Sequence, residues 1–227
     1  MSTERSECTI SLSMFLKYYH VKLLEALLQH LLIVGISVPI AICISLPLGI
    51  WISSRPRIAR LVIYGSSILM TIPSLALFGI MVALLASVKM GLGVVPAVLA
   101  ISIYSLLPIT RNTYTALNGV SPAIIEAATG IGLSRMQVLW KVRIPLALPV
   151  IMAGVRLAVV MGISVAAFAS LVGAGGLGGF IFSGIARSNI MMVGAGALSV
   201  ALLGILANWL LLRFETIVTP KGLSPED

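Results

Sequence analysis

The chain has 227 residues, of which 59% are hydrophobic and only 10% charged. Soluble domains carry about 25% charged residues, so a water-soluble globular class is excluded and an all-α polytopic membrane protein is expected. The formal net charge of +8 does not point to nucleic acid, because the basic residues form no single patch and instead punctuate the apolar segments, as loop-flanking charges do.

Residues 1–26 are mixed in character. Leu12, Phe15, Leu16, Tyr19, Leu23 and Leu27 recur at roughly helical spacing, with Lys17, Lys22 and Glu25 on other faces. That spacing predicts a tail bearing an amphipathic helix at the membrane surface. It precedes a transmembrane domain over residues 27–215 and a C-terminal tail over 216–227. The opening residues lack a compact apolar region, so no cleavable signal peptide is expected. Cys8 lies in the tail and Cys43 in the first span, which argues against a disulfide.

The first span is expected over residues 28–52, with Pro39, Pro47 and Gly49 tolerated as they are in membrane helices. It ends at a basic loop holding Arg55, Arg57 and Arg60. Residues 58–88 are too long for one straight span, and Pro73 interrupts them, which predicts one kinked or broken helix or else two shorter ones. The third span covers 94–117, the fourth 146–172, and the fifth 191–212 after a glycine-dense loop at 173–179. About five spans place the termini on opposite sides. Arg55, Arg57, Arg60, Arg111, Arg135, Lys141, Arg143, Arg213 and Lys221 share one side, so that side is expected to be cytoplasmic, with the N-terminus outside.

Residues 118–146 are the longest polar break. Ser121 followed by Pro122 reads as an N-cap and first helical residue, and Gly130 and Gly132 stop that helix. Ser134-Arg-Met-Gln137 reads as a capping box opening a second short helix that is expected to end near Pro145. Glu126 sits in the first of these helices, and between Glu25 and Glu215 it is the only acidic residue.

Glu126-Ala-Ala, three residues, Gly132, nine residues and then Val142-Arg-Ile-Pro145 resembles the EAA motif of the permease subunits of ABC importers, with Val142 where isoleucine is usual. The resemblance implies a type I ABC importer transmembrane domain whose cytoplasmic coupling helix inserts into a separate ATPase subunit. Glu126, Ala127, Ala128, Gly132, Arg135 and Pro145 are the coupling candidates. Small residues suit close approach, and a carboxylate suits a charged anchor, although Glu126 pairing with Arg135 or Arg143 within the loop is the alternative.

Thr71-Ile-Pro-Ser-Leu-Ala-Leu77, Tyr104-Ser-Leu-Leu-Pro-Ile-Thr-Arg-Asn-Thr-Tyr114 and Leu171-Val-Gly-Ala-Gly-Gly-Leu-Gly178 are similar to permeases that import quaternary-amine osmoprotectants such as glycine betaine, carnitine and choline. This similarity covers roughly residues 25–215. It implies a second permease subunit, two ABC ATPases using ATP-Mg, an extracytoplasmic substrate-binding protein on a separate chain, and a bacterial plasma membrane location. No cofactor and no catalytic role is expected of this chain, which has no G-x-x-x-x-G-K-[ST] loop. Gly173-Ala-Gly-Gly-Leu-Gly178 matches G-x-G-x-x-G only formally. Gly175, Gly176 and Gly178 stand instead as candidates for receptor docking.

Thr71, Pro73, Ser74, Tyr104 and Asn112 are the pore candidates, since they cluster at the broken helix and on the third span. Arg156 is expected to snorkel toward the interface. No acidic residue is expected inside a span, which disfavours an ion-coupled secondary carrier. The same architecture importing another small solute, such as an amino acid, is the alternative.

Overall fold

A computed structural model describes residues 12–219, and side chains from residue 17 onward. Every regular element among these residues is helical, as an apolar solvent demands of a chain that must satisfy its own backbone. Helix α1 runs over Leu12–Ser53 and encloses Pro39 and Pro47. Helices α2 (Pro56–Thr71) and α3 (Ser74–Ala86) follow, and α4 spans Val94–Asn118. The polar break holds α5 (Pro122–Gly130) and α6 (Arg135–Val138), then a π-helical turn over Leu139–Arg143. Helix α7 (Ile144–Val165) passes into a 3-10 segment over Ala166–Val172. Helices α8 (Gly178–Ala186) and α9 (Ile190–Val218) complete the fold.

Among the described residues, four helical stretches are long and apolar enough to cross a membrane: 17–53, 94–118, 135–172 and 190–218. The α2–α3 pair makes a fifth if its two arms count as one span, bent by 98°. Helices elsewhere in the chain run through prolines, but here Ile72 (φ −68°, ψ 123°) and Pro73 (φ −54°, ψ 136°) are both extended, the conformation favoured before a proline, and the helix stops. The expected break in residues 58–88 is therefore present.

Helix α4 is the axis of the bundle. Two-thirds (67%) of its most apolar window is buried, against 11% for α9. It packs chiefly on α1 and α7. Ile33, Val34 and Val38 of α1, Ile101 and Tyr104 of α4, Leu77 and Phe78 of α3, and Ile163 of α7 form the main core. Hydroxyls stitch α1 to α4: Ser102 donates to the Ser37 carbonyl (3.0 Å) and Ser45 to that of Leu106 (3.4 Å). Gly49 lets the two helices approach, since a Cβ there would sit 2.6 Å from that of Thr113. Small and hydroxyl residues are what membrane helices use where lipid supplies no hydrophobic drive.

Four expectations need correction. The N-terminal amphipathic segment is not a separate surface helix within the described residues; it is continuous with the first span in a 42-residue helix. At 1.5 Å per residue that is about 63 Å, about twice the hydrocarbon thickness, and no proline lies between residues 17 and 38. The second short helix does not end near Pro145, because residues 135–172 form one helical run. The π turn widens the ladder just before the proline, with the Ile144 N–H bonding to the Leu139 carbonyl, so the missing proline N–H leaves no break. The glycine-dense loop, expected over 173–179, gives way at Gly178 to helix α8, in a stretch assigned to no span. Finally, the last helix runs past residue 212 to Val218, which places Glu215 inside it. Cys8 and Lys221 lie outside the described residues.

Candidate functional site

The ends of α1 and α4 and the start of α7 meet at one end of the bundle, where Ile50, Leu117, Ala147 and Ile151 pack together and Ser54, Arg135 and Arg143 line one cleft. Helices α5 and α6 project from this basic end. Pro122 opens α5 as expected, though Ser121 makes no side-chain cap. The turn after α5 is closed by Ile131 N–H to the Ala127 carbonyl (3.1 Å), Gly132 N–H to Thr129 (2.9 Å) and Leu133 N–H to Ala128 (3.2 Å). Gly132 sits at φ +90° with nothing within 4 Å of where a Cβ would be. Its role is thus backbone conformation rather than packing within the chain. Ser134 then forms the expected capping box: its Oγ accepts from the Gln137 N–H (3.4 Å) and the Gln137 Oε1 accepts from the Ser134 N–H (2.8 Å).

Glu126 is exposed on α5, and it makes no ion pair among the described residues. Arg143 is engaged elsewhere: its Nε and Nη2 donate to the Leu117 carbonyl at 3.3 and 2.8 Å. That contact caps the end of α4 and fixes the root of the α5–α6 segment. The pairing of Glu126 with Arg143 is therefore not formed. Ala127 is exposed, as a docking face requires, but Ala128 is buried within the chain. Its small size serves the packing of α5 on its own bundle.

Arg135 is exposed at the start of α6, and Pro145 is half-buried in the first turn of α7. Around them Ile124, Ile131, Met136 and Trp140 stand 43–81% exposed. Large apolar side chains in a polar, projecting segment mark a protein-contact surface. A cleft of about 430 Å³ lies behind it, between Ile125, Leu133, Leu139 and Arg143.

At the broken helix, the Tyr104 hydroxyl donates to the carbonyl of Ile72, the residue that caps α2. A carbonyl freed by a helix break inside a bilayer must find a donor, and Tyr104 supplies it. Thr71 and Pro73 are exposed beside the break and Ser74 is half-buried; the Thr71 hydroxyl donates back to Ile68 (2.7 Å). These three and Tyr104 lie together. Asn112 does not join them. It donates to the Pro108 carbonyl (2.7 Å) and packs on α7, where a Cβ on Gly154 would meet its own at 2.6 Å.

The glycine loop closes the opposite end. Gly176 N–H donates to Gln29 Oε1 (3.0 Å), and His30 Nε2 lies 2.9 Å from the Ile163 carbonyl. Gly176 and Gly178 are buried, so they are not an open docking surface in this conformation. A Cβ at Gly178 would fall 1.8 Å from the Ala167 carbonyl oxygen, and Gly175 (φ +80°) and Gly176 (φ +95°) adopt turns that only glycine accepts freely. Gly175 is half-buried beside a pocket of about 340 Å³ that Lys22, Gln29 and Arg187 also line.

Sequence reasoning missed the pair at Arg156. Its Nη1 lies 2.7 Å from Glu215 Oε2, with Glu215 buried, so Arg156 does not simply snorkel. The signal was available in retrospect: two opposite charges in otherwise apolar helices need one another. No group of three or more His, Cys, Asp or Glu able to hold a metal occurs among the described residues.

Comparisons with known proteins agree with this architecture. A family described as "Binding-protein-dependent transport system inner membrane component" matches residues 45–221. The osmoprotectant import permease protein OsmW of Salmonella typhimurium is 49% identical over 195 residues, covering 86% of this chain and 91% of that relative. The glycine betaine/carnitine/choline transport system permease protein OpuCB of Bacillus subtilis is 40% identical, with 86% and 88% covered. An inward-facing structure of the MetNI methionine ABC transporter superposes with a TM-score of 0.78 over 90% of this chain and 99% of that one, at 24% identity. That likeness speaks to the fold. The chain therefore belongs to the binding-protein-dependent transport system inner membrane components, and it is the membrane-spanning permease subunit of such a transporter.

Proposed function

We propose that this permease forms the pore of an importer for quaternary ammonium osmolytes, such as glycine betaine, carnitine or choline. The substrate class rests on the relatives at 39–49% identity, which are named for osmoprotectant, carnitine and choline transport. Two copies, or this chain and a close relative, line the path. Two ATPase subunits bind ATP-Mg and dock at α5, and a separate receptor delivers the solute to the opposite end. This chain breaks and makes no bonds; its work is alternating access. The N-terminus lies outside and the 118–146 segment in the cytoplasm, by the asymmetry of basic residues.

The observation that carries the coupling reading is α5 itself. It is a short helix held at its root by Arg143 and by the glycine turn, and it offers a Glu126 with no ion pair among the described residues and exposed apolar neighbours. A partner groove with a basic group would satisfy both.

Co-purification tests it. The tagged chain, extracted in detergent from its own cells, should bring down an ATPase and a solute-binding protein. Proteoliposomes of that complex should accumulate labelled glycine betaine only with ATP inside and receptor outside. Purification of a functional importer lacking any ATPase would overturn the reading.

A further inference from the structure

Arg156 and Glu215 form the ion pair found among the described residues, and it joins α7 to α9. Its setting is apolar. Met152, Val155 and Ala158 are buried around Arg156 on α7, while Leu212, Phe214, Ile217 and Val218 beside Glu215 are exposed on the outside of α9. Desolvating two charges offsets most of what their attraction returns, so an apolar pair would hold these helices about as firmly. An ion pair adds direction instead: it fixes the height and rotation of one helix against the other.

The connectivity makes that direction useful. Residues 135–172 are one helical run, so a displacement of the α5–α6 segment passes straight into α7. Helix α9 packs on α7 and on α8. Toward its start it is seated on α8 through Gly196, where a Cβ would meet Ile181 at 2.8 Å, and through Gly184 of α8 against Val193. Toward its end the charged tie to α7 is Glu215.

We propose that Arg156 and Glu215 are positioning residues for transport: the pair locks α9 to α7, so that movement begun at α5 carries α9, and with it α8 near the opposite end. This rests on the reading of α5 as the ATPase-docking helix.

The test uses the complete reconstituted transporter. Glu215→Gln and Arg156→Gln should assemble with the partners and hydrolyse ATP, yet the solute moved per ATP should fall about tenfold or more, because each removes the charged tie between α7 and α9. The exchanged pair, Arg156→Glu with Glu215→Arg, should recover to within about threefold of the starting protein if the interaction itself is what matters. A second measurement needs no change to the pair. Spin labels on Val150→Cys and Ile217→Cys, with Cys8 and Cys43 replaced by serine, should keep one separation in the resting and nucleotide-trapped states. A separation that changes between those states overturns the proposal, as do single variants that keep their solute-to-ATP ratio within about twofold. Failure of the docking reading is distinguished by Glu126→Lys, which would then remain active whatever the α7–α9 separation does.

Discussion

Replacing Gly132 separates conformational demand from packing at the coupling segment. Its φ of +90° lies where an L-residue is strained, while the space around a new Cβ is empty. Alanine there meets no atom of the described residues within 4 Å, so its cost is the backbone alone, roughly 1–2 kcal/mol for a left-handed conformation. That is a factor of about 5–30 in the population of the native turn. The turn holds the hydrogen bonds that orient α5 against the Ser134 capping box, so uptake should fall by a similar factor. Valine, branched at Cβ, should fall further, and asparagine, which tolerates positive φ, should lose least. The assay is receptor-stimulated ATP hydrolysis and solute uptake in proteoliposomes, with membrane insertion checked by immunoblot. Full activity in Gly132→Val would refute the reasoning. Asparagine no better than valine would show that crowding by a partner, not backbone strain, governs the site.

Gly178→Ala should act oppositely, through packing: its Cβ falls 1.8 Å from a backbone carbonyl, so α8 must lift from the 3-10 segment at a cost of about 1–3 kcal/mol, read as a lower midpoint of thermal unfolding in detergent. Tyr104→Phe strips the Ile72 carbonyl of its donor and should cost about 1 kcal/mol, with altered uptake if the break lines the path; unchanged stability and uptake would remove that role. For topology, Ser134→Cys should resist a membrane-impermeant thiol reagent in intact cells while Ser183→Cys reacts, in a background without Cys8 and Cys43; labelling at Ser134 from outside would invert the orientation.

Much of this architecture was legible because lipid makes hydrophobicity a direct readout of spans. The third span, expected at 94–117, appears as Val94–Asn118. Pro73 signalled its break because proline's defect is local, and Ser134 and Gly132 did so because a capping box and a positive φ are written in a few neighbouring residues. The features that escaped depend on distant partners. Pro145 looks like a stop, yet the π turn before it and the grip of Arg143 on α4 let the helix continue. Glycines at 176 and 178 look like an open loop until α1 and the 3-10 segment are seen packed against them. Arg156 and Glu215 lie 59 positions apart, so nothing local reveals that each has a partner. Asn112 sits near the pore candidates in sequence, but the rotation of α4 turns it toward α7.

The central claim is that α5 passes the work of ATP hydrolysis to the pore, and Glu126→Lys addresses it most directly. The substitution reverses a charge that is exposed and makes no ion pair among the described residues, so the variant should insert, assemble its helices and accept the receptor as before. Receptor-stimulated ATP hydrolysis and solute uptake, measured together in proteoliposomes, should both be lost. Uptake and stimulated hydrolysis at the level of the unmodified protein would contradict the account.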